Sequence, residues 1–405
     1  MKFCCGLFTP RNLATLTGID VLESTHFAAL QNLHHLALLT NQSGLDAQGH
    51  RTIDILHSLT TSNLELTTLF SPEHGITGAL DQSNIASTTD PTTHLPVISL
   101  YGSKDADRRP THAQLKSLDA IVIDLQDAGV HFWTYEAAIG YFLEAASTEV
   151  TQYHHDLQII LLDRPNLIGG TQTQGPISDP GTESYVNYMP LPVRHALTLG
   201  ELARYIVGTK HLATHLTVIP MQHWSRNEYF SDTGLLWINP SPNLRSPEAA
   251  ILYPALGLIE STNISVGRGT AHPFSFFGAP YIDAPAVTAA LTARNIPGVT
   301  FTATTEPITE DANHYPFHGQ TIPSVEVTLT DPTHADTPEL GIEILAVLHR
   351  LYPTQFHLEK SMTLLCNRTT LEALQHGDDP RSISLSWQPG IESFKQATIP
   401  YLLYP

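Results

Sequence analysis

The sequence predicts an α/β protein, with a doubly wound, Rossmann-like N-terminal domain and a smaller mixed α+β C-terminal domain. Three observations predict it. Short continuous apolar runs alternate with helical spacings through the first half. Near residue 240 this alternation gives way to the turn-rich stretch Asn239-Pro240-Ser241-Pro242-Asn243. Polar residues also follow directly on the ends of the apolar runs.

The runs are 36–40 (LALLT), 66–70 (LTTLF), 97–100 (VISL), 120–125 (AIVIDL) and 158–162 (QIILL). A strand that alternates apolar and polar residues has one wet face; an unbroken apolar run is buried on both faces, as in a parallel sheet. Between the runs, Ile53, Leu56 and Leu59 keep helical spacing, as do Ala138, Ile139, Phe142, Leu143 and Ala146. Thr198 and Glu201 form a capping box for a helix whose apolar face is Leu199, Leu202, Ala203 and Ile206 and which Gly208 ends. A sixth strand is expected at 216–220. Beyond the turn-rich stretch come strands at 300–304 and 324–330, and a helix at 338–351 with Thr337 as cap and Pro353 as stop. The expected division is a tail at 1–17, a Rossmann-like catalytic domain at 18–235 and an α+β domain at 236–405.

Composition narrows the function. Of 405 residues, 41% are hydrophobic and 15% charged, as in a packed globular protein. Acidic residues outnumber basic ones 39 to 20, and a net charge of −19 repels phosphate backbones and anionic lipid. Nucleic acid and membrane insertion are therefore not expected as partners. Among the 22 histidines, the pairs His34-His35 and His154-His155 read as solvated surface. Cys4, Cys5 and Cys366 have neither disulfide-framework nor zinc spacing, and neither cofactor nor metal is expected. The apolar stretch within 1–12 is too short for a signal-peptide core, which taken literally implies a cytoplasmic protein. There is no G-x-S-x-G, H-E-x-x-H or P-loop motif, and no complete G-x-G-x-x-G follows the first strand.

Ligands of open α/β sheets bind beyond the carboxyl ends of the strands. Asn41 and Gln42 follow the first run here, and Ser71-Pro72-Glu73-His74-Gly75 the second. Asp124, Gln126 and Asp127 close the fourth, and Asp163-Arg164 the fifth. The 71–75 segment opens a connection of roughly 26 residues, and connections that long are usually functional or disordered. Pro72 and Gly75 restrict the backbone around Glu73, and a held carboxyl beside an imidazole suits general acid catalysis. A turn with a solvated Glu73 and a packed His74 is the plainer alternative. Asp127 reads as a site residue or as a helix cap, and Asp163-Arg164 as a substrate clamp or a buried ion pair. In the second half Glu260 is the candidate second carboxylate, and glycines flank Arg268, whose planar guanidinium suits a carboxylate.

Read together, these segments resemble the exo-β-N-acetylmuramidases of the NamZ (YbbC-like) type. The matching stretches are GIDVL (18–22), LTNQSGLD (39–46), LFSPEHGI (69–76), SLYG (99–102), DLQDAGVHFWTY (124–135), LDRPN (162–166) and PVRHALTLGEL (192–202). They continue through SPN (241–243), ESTNISVGRGT (260–270), PF (273–274), GAPYID (278–283) and YLLY (401–404). The resemblance implies an active-site cleft between the two domains and hydrolysis of the β-glycosidic bond of a non-reducing terminal N-acetylmuramic acid (MurNAc). Peptidoglycan-derived muro-oligosaccharides are the implied partners, and members are often exported. Glu73 is carried over as a catalytic carboxyl, with His74, Glu260 and Asp127 as further catalytic candidates. Asn41, Gln42, Gln126, Tyr135, Arg164, Arg194, His195, Asn263 and Arg268 are the substrate-binding candidates. MurNAc bears a lactyl carboxylate, for which Arg164, Arg194 and Arg268 are the motif arginines, Arg268 foremost. Where family motifs often read EGTN and SEGRGT, this chain has Ser261 and Val266.

Two other functions fit the same residues. A metal-dependent hydrolase would use Asp124, Asp127, His74 and His131 as ligands. A non-catalytic binder would hold cell-wall sugar in the same cleft without turnover.

Overall fold

The computed structural model describes residues 14–59, 63–309 and 315–405. Cys4, Cys5 and the stretch 1–12 considered above lie outside the described residues. In chain order the first half contains α1 (Gly18–Ser24), β1 (His35–Thr40), α2 (Thr52–Ser58), β2 (Glu65–Ser71), β3 (Thr88–Thr89), β4 (Pro96–Ser99) and α3 (His112–Leu115). It continues with β5 (Ala120–Asp124), α4 (Thr134–Gln152), β6 (Gln158–Leu162), β7 (Gln174–Ile177), β8 (Pro192–Arg194), α5 (Leu199–Thr209) and β9 (His215–Ile219). The second half contains α6 (Pro247–Glu260), β10 (Phe276–Gly278), α7 (Ala284–Thr292), β11 (Val299–Pro307), β12 (Thr321–Leu329) and α8 (Thr337–Leu351), and ends in short helices between Met362 and Thr398.

Seven strands form one sheet in the order β3-β4-β2-β1-β5-β6-β9, parallel throughout except for β3, which runs antiparallel to β4. The unbroken apolar runs have the expected cause. Leu36 and Leu38 of β1 join one core with Ile19, Ile53, Val122 and Ile160, while Ala37 and Leu39 join another with Ile121, Ile123, Phe142 and Ile159. Neighbouring residues thus enter opposite cores, and in the central strands neither face is wet, whereas the edge strands β3 and β9 reach solvent. From β1 the chain winds outward to β2 and β4, then crosses back to build β5, β6 and β9 on the other side. This reversal leaves a crevice past the carboxyl ends of the central strands.

The second half carries the antiparallel sheet β10-β12-β11. Three differences from the sequence expectation stand out. Asp336, not Thr337, caps α8, accepting the Glu339 N–H at 3.0 Å, and Pro338 sits in the first turn, where its missing donor costs nothing. Helix α6, capped by Ser246, was not expected at all. Every residue from Ala249 to Ile259 is buried, so the helix shows no apolar stripe, and Pro254 lies in its interior. The long connection after β2 is also not wholly irregular, because it contains the edge strand β3.

Candidate active site

The turn after β2 organises the site. Pro72 O accepts the Gly75 N–H at 3.1 Å, and His74 and Gly75 both adopt left-handed backbone, with φ of 69° and 71°. Glycine takes that conformation freely, whereas a histidine there is held in place by its surroundings. The turn brings Glu73 to the wall of a cleft of about 440 Å³ that draws its residues from both halves of the chain.

Glu73 Oε2 accepts from Thr134 Oγ1 at 2.5 Å, and the Tyr101 hydroxyl donates to the same carboxylate. Burial and the nearby Glu73 charge both push the Tyr101 phenol up, so it stays a donor. Among the described residues no Lys, Arg or His forms an ion pair with Glu73; its polar partners are hydroxyls. His74 lines the same cleft, and its Nδ1 meets Leu80 O at 2.8 Å. A carbonyl only accepts, so that nitrogen carries the hydrogen.

Across the cleft, Arg268 is clamped between two carboxylates. Its Nη1 bonds Glu260, the last residue of α6, and its Nη2 reaches Asp81 Oδ2 at 2.9 Å. Asp81 Oδ2 also accepts from the Tyr315 hydroxyl at 2.5 Å and from Asn243 Nδ2 at 2.7 Å. Burial alone would raise the Asp81 carboxyl, but Arg268 and Tyr315 outweigh it and hold it at about 2. Asp81 is therefore an anion at any working pH. The glycines around Arg268 serve packing: φ is 82° at Gly267 and 84° at Gly269, and a Cβ on Gly269 would sit 2.7 Å from the Tyr315 ring. Aromatic side chains, among them Trp133, Tyr185 and Tyr253, complete the walls.

Of the residues expected from sequence, the structure brings Glu73, His74, Tyr135, Glu260 and Arg268 to this one cleft. The others lie behind it or away from it. Asn41 Nδ2 donates to the Tyr135 hydroxyl at 2.7 Å, and Gln42 Nε2 donates to Asn239 O at 2.7 Å. The Tyr135 hydroxyl in turn donates to Pro240 O at 3.1 Å. Together they fasten the 239–243 turn over the sheet's end. Gln126 is tied to Pro165 O. Arg164 pairs with Asp124 at 2.5 Å rather than with its neighbour Asp163, which instead anchors the start of α5 through Thr198 and Gly200. Arg194 is 1% exposed and bonds Gln172, Gln174 and Ile168 O. Asn263 bridges to Gln355 O and His357 N.

Asp127 and His195 meet in a different place, a sealed cluster with Glu136. His195 Nε2 lies 2.8 Å from Glu136 Oε1 and 3.7 Å from Asp127 Oδ2, and all three residues are buried. Burial and the Glu136 charge push Asp127 up to about 7, while burial drives Glu136 well above its usual range and His195 below its own. The spacing would suit a metal ion. The hydrogen bonding does not, because the Leu197 N–H donates to His195 Nδ1 at 3.1 Å. The hydrogen of a neutral ring then belongs on Nε2, which is left with no lone pair for a cation. The quartet Asp124, Asp127, His74 and His131 is not gathered at all. Asp124 is taken up by Arg164 and Thr52, and His131 lies between the Leu191 and Leu364 carbonyls.

Sequence reasoning missed Asp81, Tyr101, Arg108 and Thr134 as cleft residues, and Asn243 beyond its place in a motif. Asp81 lies in an irregular segment and Arg108 at the end of a single 3-10 turn, Asp105–Arg108, and neither is marked by any periodicity.

Comparison with known proteins agrees across the whole chain. A family model described as "Exo-beta-N-acetylmuramidase NamZ, N-terminal" matches residues 36–248, and its C-terminal counterpart matches 251–404. The chain is 34% identical over 392 residues to the peptidoglycan beta-N-acetylmuramidase NamZ of Bacillus subtilis (strain 168), covering 96% of this chain and 91% of that protein. Crystal structures of two DUF1343 family proteins from Bacteroides fragilis NCTC 9343 share the fold. One has a TM-score of 0.86 and 30% identity over 98% of this chain and 100% of the other. The second has 0.78 and 27%, over 97% and 99%.

Proposed function

The chain belongs to the exo-β-N-acetylmuramidase NamZ family, and from that premise we propose that Glu73 is the acid that breaks its substrate's glycosidic bond. The protein is a glycoside hydrolase of peptidoglycan fragments, releasing non-reducing terminal MurNAc from muro-oligosaccharides such as MurNAc-GlcNAc.

The observation that carries the assignment is the unequal commitment of three cleft carboxyls. Asp81 and Glu260 have given their charge to Arg268. Glu73 has hydroxyl partners only, so its carboxyl is not tied up in an ion pair and is free to face the substrate. Such a group is suited to carry a proton to the bridging oxygen as the bond to the sugar breaks. Positive charge then develops at the sugar's anomeric carbon. Asp81, ionised at working pH, stabilises that charge electrostatically from a position fixed by Arg268, Tyr315 and Asn243. The aromatic walls give the sugar's apolar faces a surface to pack on.

The test is turnover of a chromogenic β-MurNAc glycoside. Glu73→Gln keeps the shape and removes the acid, and its kcat is expected to fall by about a hundredfold or more while MurNAc still binds. Undiminished turnover in that variant would remove Glu73 from the chemistry.

A further inference from the structure

The cleft contains two arginines, and only one of them is neutralised. Arg268 carries Asp81 on one side and Glu260 on the other. Arg108 also lines the cleft, yet among the described residues no carboxylate lies within ion-pair distance of it. Its Nε donates to Gly102 O at 2.9 Å, and its guanidinium lies 4.2 Å from the Tyr185 ring centre and 5.8 Å from that of Tyr101. The acids around it are engaged elsewhere. Asp105 takes Arg109 at 2.6 Å and the Tyr141 hydroxyl, and Asp107 accepts the Lys104 N–H. Glu144 is shared by Arg109, Lys210 and Tyr188.

A guanidinium held over tyrosine rings, with no ion pair among the described residues, is prepared for a planar anion. In a protein of net charge −19 that cation has a specific use. Resting on the reading of this cleft as a muramidase site, we propose that Arg108 binds the lactyl carboxylate of MurNAc and thereby separates it from N-acetylglucosamine, which lacks that group. Arg268, which the sequence put first for this task, has its charge already matched by two acids. The placement of Arg108 supports the assignment. Tyr101 donates its hydroxyl to Glu73 and offers its ring to Arg108, so one side chain sets the acid and the anion reader side by side.

The experiment pairs a change in the enzyme with the same change in the substrate. Wild type, Arg108→Gln and Arg108→Lys are assayed on chromogenic β-glycosides of MurNAc, of its lactyl methyl ester and of N-acetylglucosamine. Loss of one charge-assisted contact is expected to raise KM for the MurNAc glycoside by about tenfold or more in Arg108→Gln, with a smaller change in kcat and partial recovery in Arg108→Lys. The ratio of kcat/KM for MurNAc over N-acetylglucosamine falls by a similar factor. Esterification penalises the wild type to that extent and Arg108→Gln hardly at all. Equal losses on all three substrates in Arg108→Gln, or a wild type indifferent to esterification, would overturn the proposal; the latter needs no variant to fold. A wild type that hydrolyses none of the glycosides fails the muramidase reading instead. Calorimetric binding of free MurNAc against N-acetylglucosamine then decides the role of Arg108, with preference for MurNAc lost in Arg108→Gln as the supporting result and preference kept as the refuting one.

Discussion

The Thr134 hydroxyl and the Glu73 carboxylate meet at 2.5 Å, joining the first residue of α4 to the turn that ends β2. The helix start and the strand end are thus locked to each other, and the acid takes its orientation from a neighbouring hydroxyl on the cleft wall. Replacing Thr134 by Val keeps the shape and removes the donor. Losing a hydrogen bond to a charged group, about 1.5–3 kcal/mol, should lower kcat by about ten- to a hundredfold. Steady-state kinetics beside a thermal melt check this: an unchanged kcat would mean that Tyr101 alone suffices.

Asp81 links pH to stability. Its carboxyl is held at about 2 in the folded chain, below the ordinary 3.8. A depressed acid stabilises the fold fully above its unfolded value and loses that contribution as pH falls through the folded one. Asp81→Asn should therefore unfold at lower urea than wild type at neutral pH, with the gap closing between pH 4 and 2. A gap that is constant across that range would contradict the assignment.

The sealed cluster has the opposite sign. Asp127 is pushed up to about 7, so in the folded state it retains a proton that the unfolded chain has already released. Stability then falls as pH rises from about 4 to 7 and levels off above. In Asp127→Asn this slope should be shallower, which urea midpoints at several pH values will reveal. The groups that face the cluster are Glu201, which is paired with Arg226, together with His131 and Tyr135. An identical slope in the variant would place the titration on Glu136, the cluster's other carboxyl that burial pushes up.

Gly269→Ala should be costly for two separate reasons. The backbone there is left-handed, and the new Cβ would press on the Tyr315 ring at 2.7 Å. A loss of about 1–3 kcal/mol is expected from strain of this kind, with weaker catalysis as Tyr315 moves from Asp81. Denaturant unfolding measures the first and kcat/KM the second; a neutral substitution would refute both.

Much of the sheet was legible because burial on both faces leaves an unmistakable mark: the runs 36–40, 120–125 and 158–162 are strands within a residue of where they were read. The turn carrying Glu73 was legible for a local reason, since Pro72 and Gly75 restrict the chain around it. Helix α6 was illegible because a helix buried all round carries no stripe. The strand-end rule identified the right loops but not the side chains that face the cleft. Asn41, Gln126 and Arg164 sit at those ends and spend their polar atoms on neighbouring side chains and carbonyls, as buried polar groups must. Asp81 reaches the cleft from a loop and Arg108 from a one-turn 3-10 helix, both too short for any pattern, so only the folded chain shows what they face.

Trp133 is buried in the cleft wall, its ring set edge-on to Tyr135 at 5.3 Å and to Tyr253 at 5.8 Å. Indole emission shifts colour and intensity with its surroundings, and this indole borders the space a sugar would fill. The chain has four tryptophans, and the other three do not line that space. Filling of the cleft should therefore be visible as a change in the protein's own light, without a dye or a label.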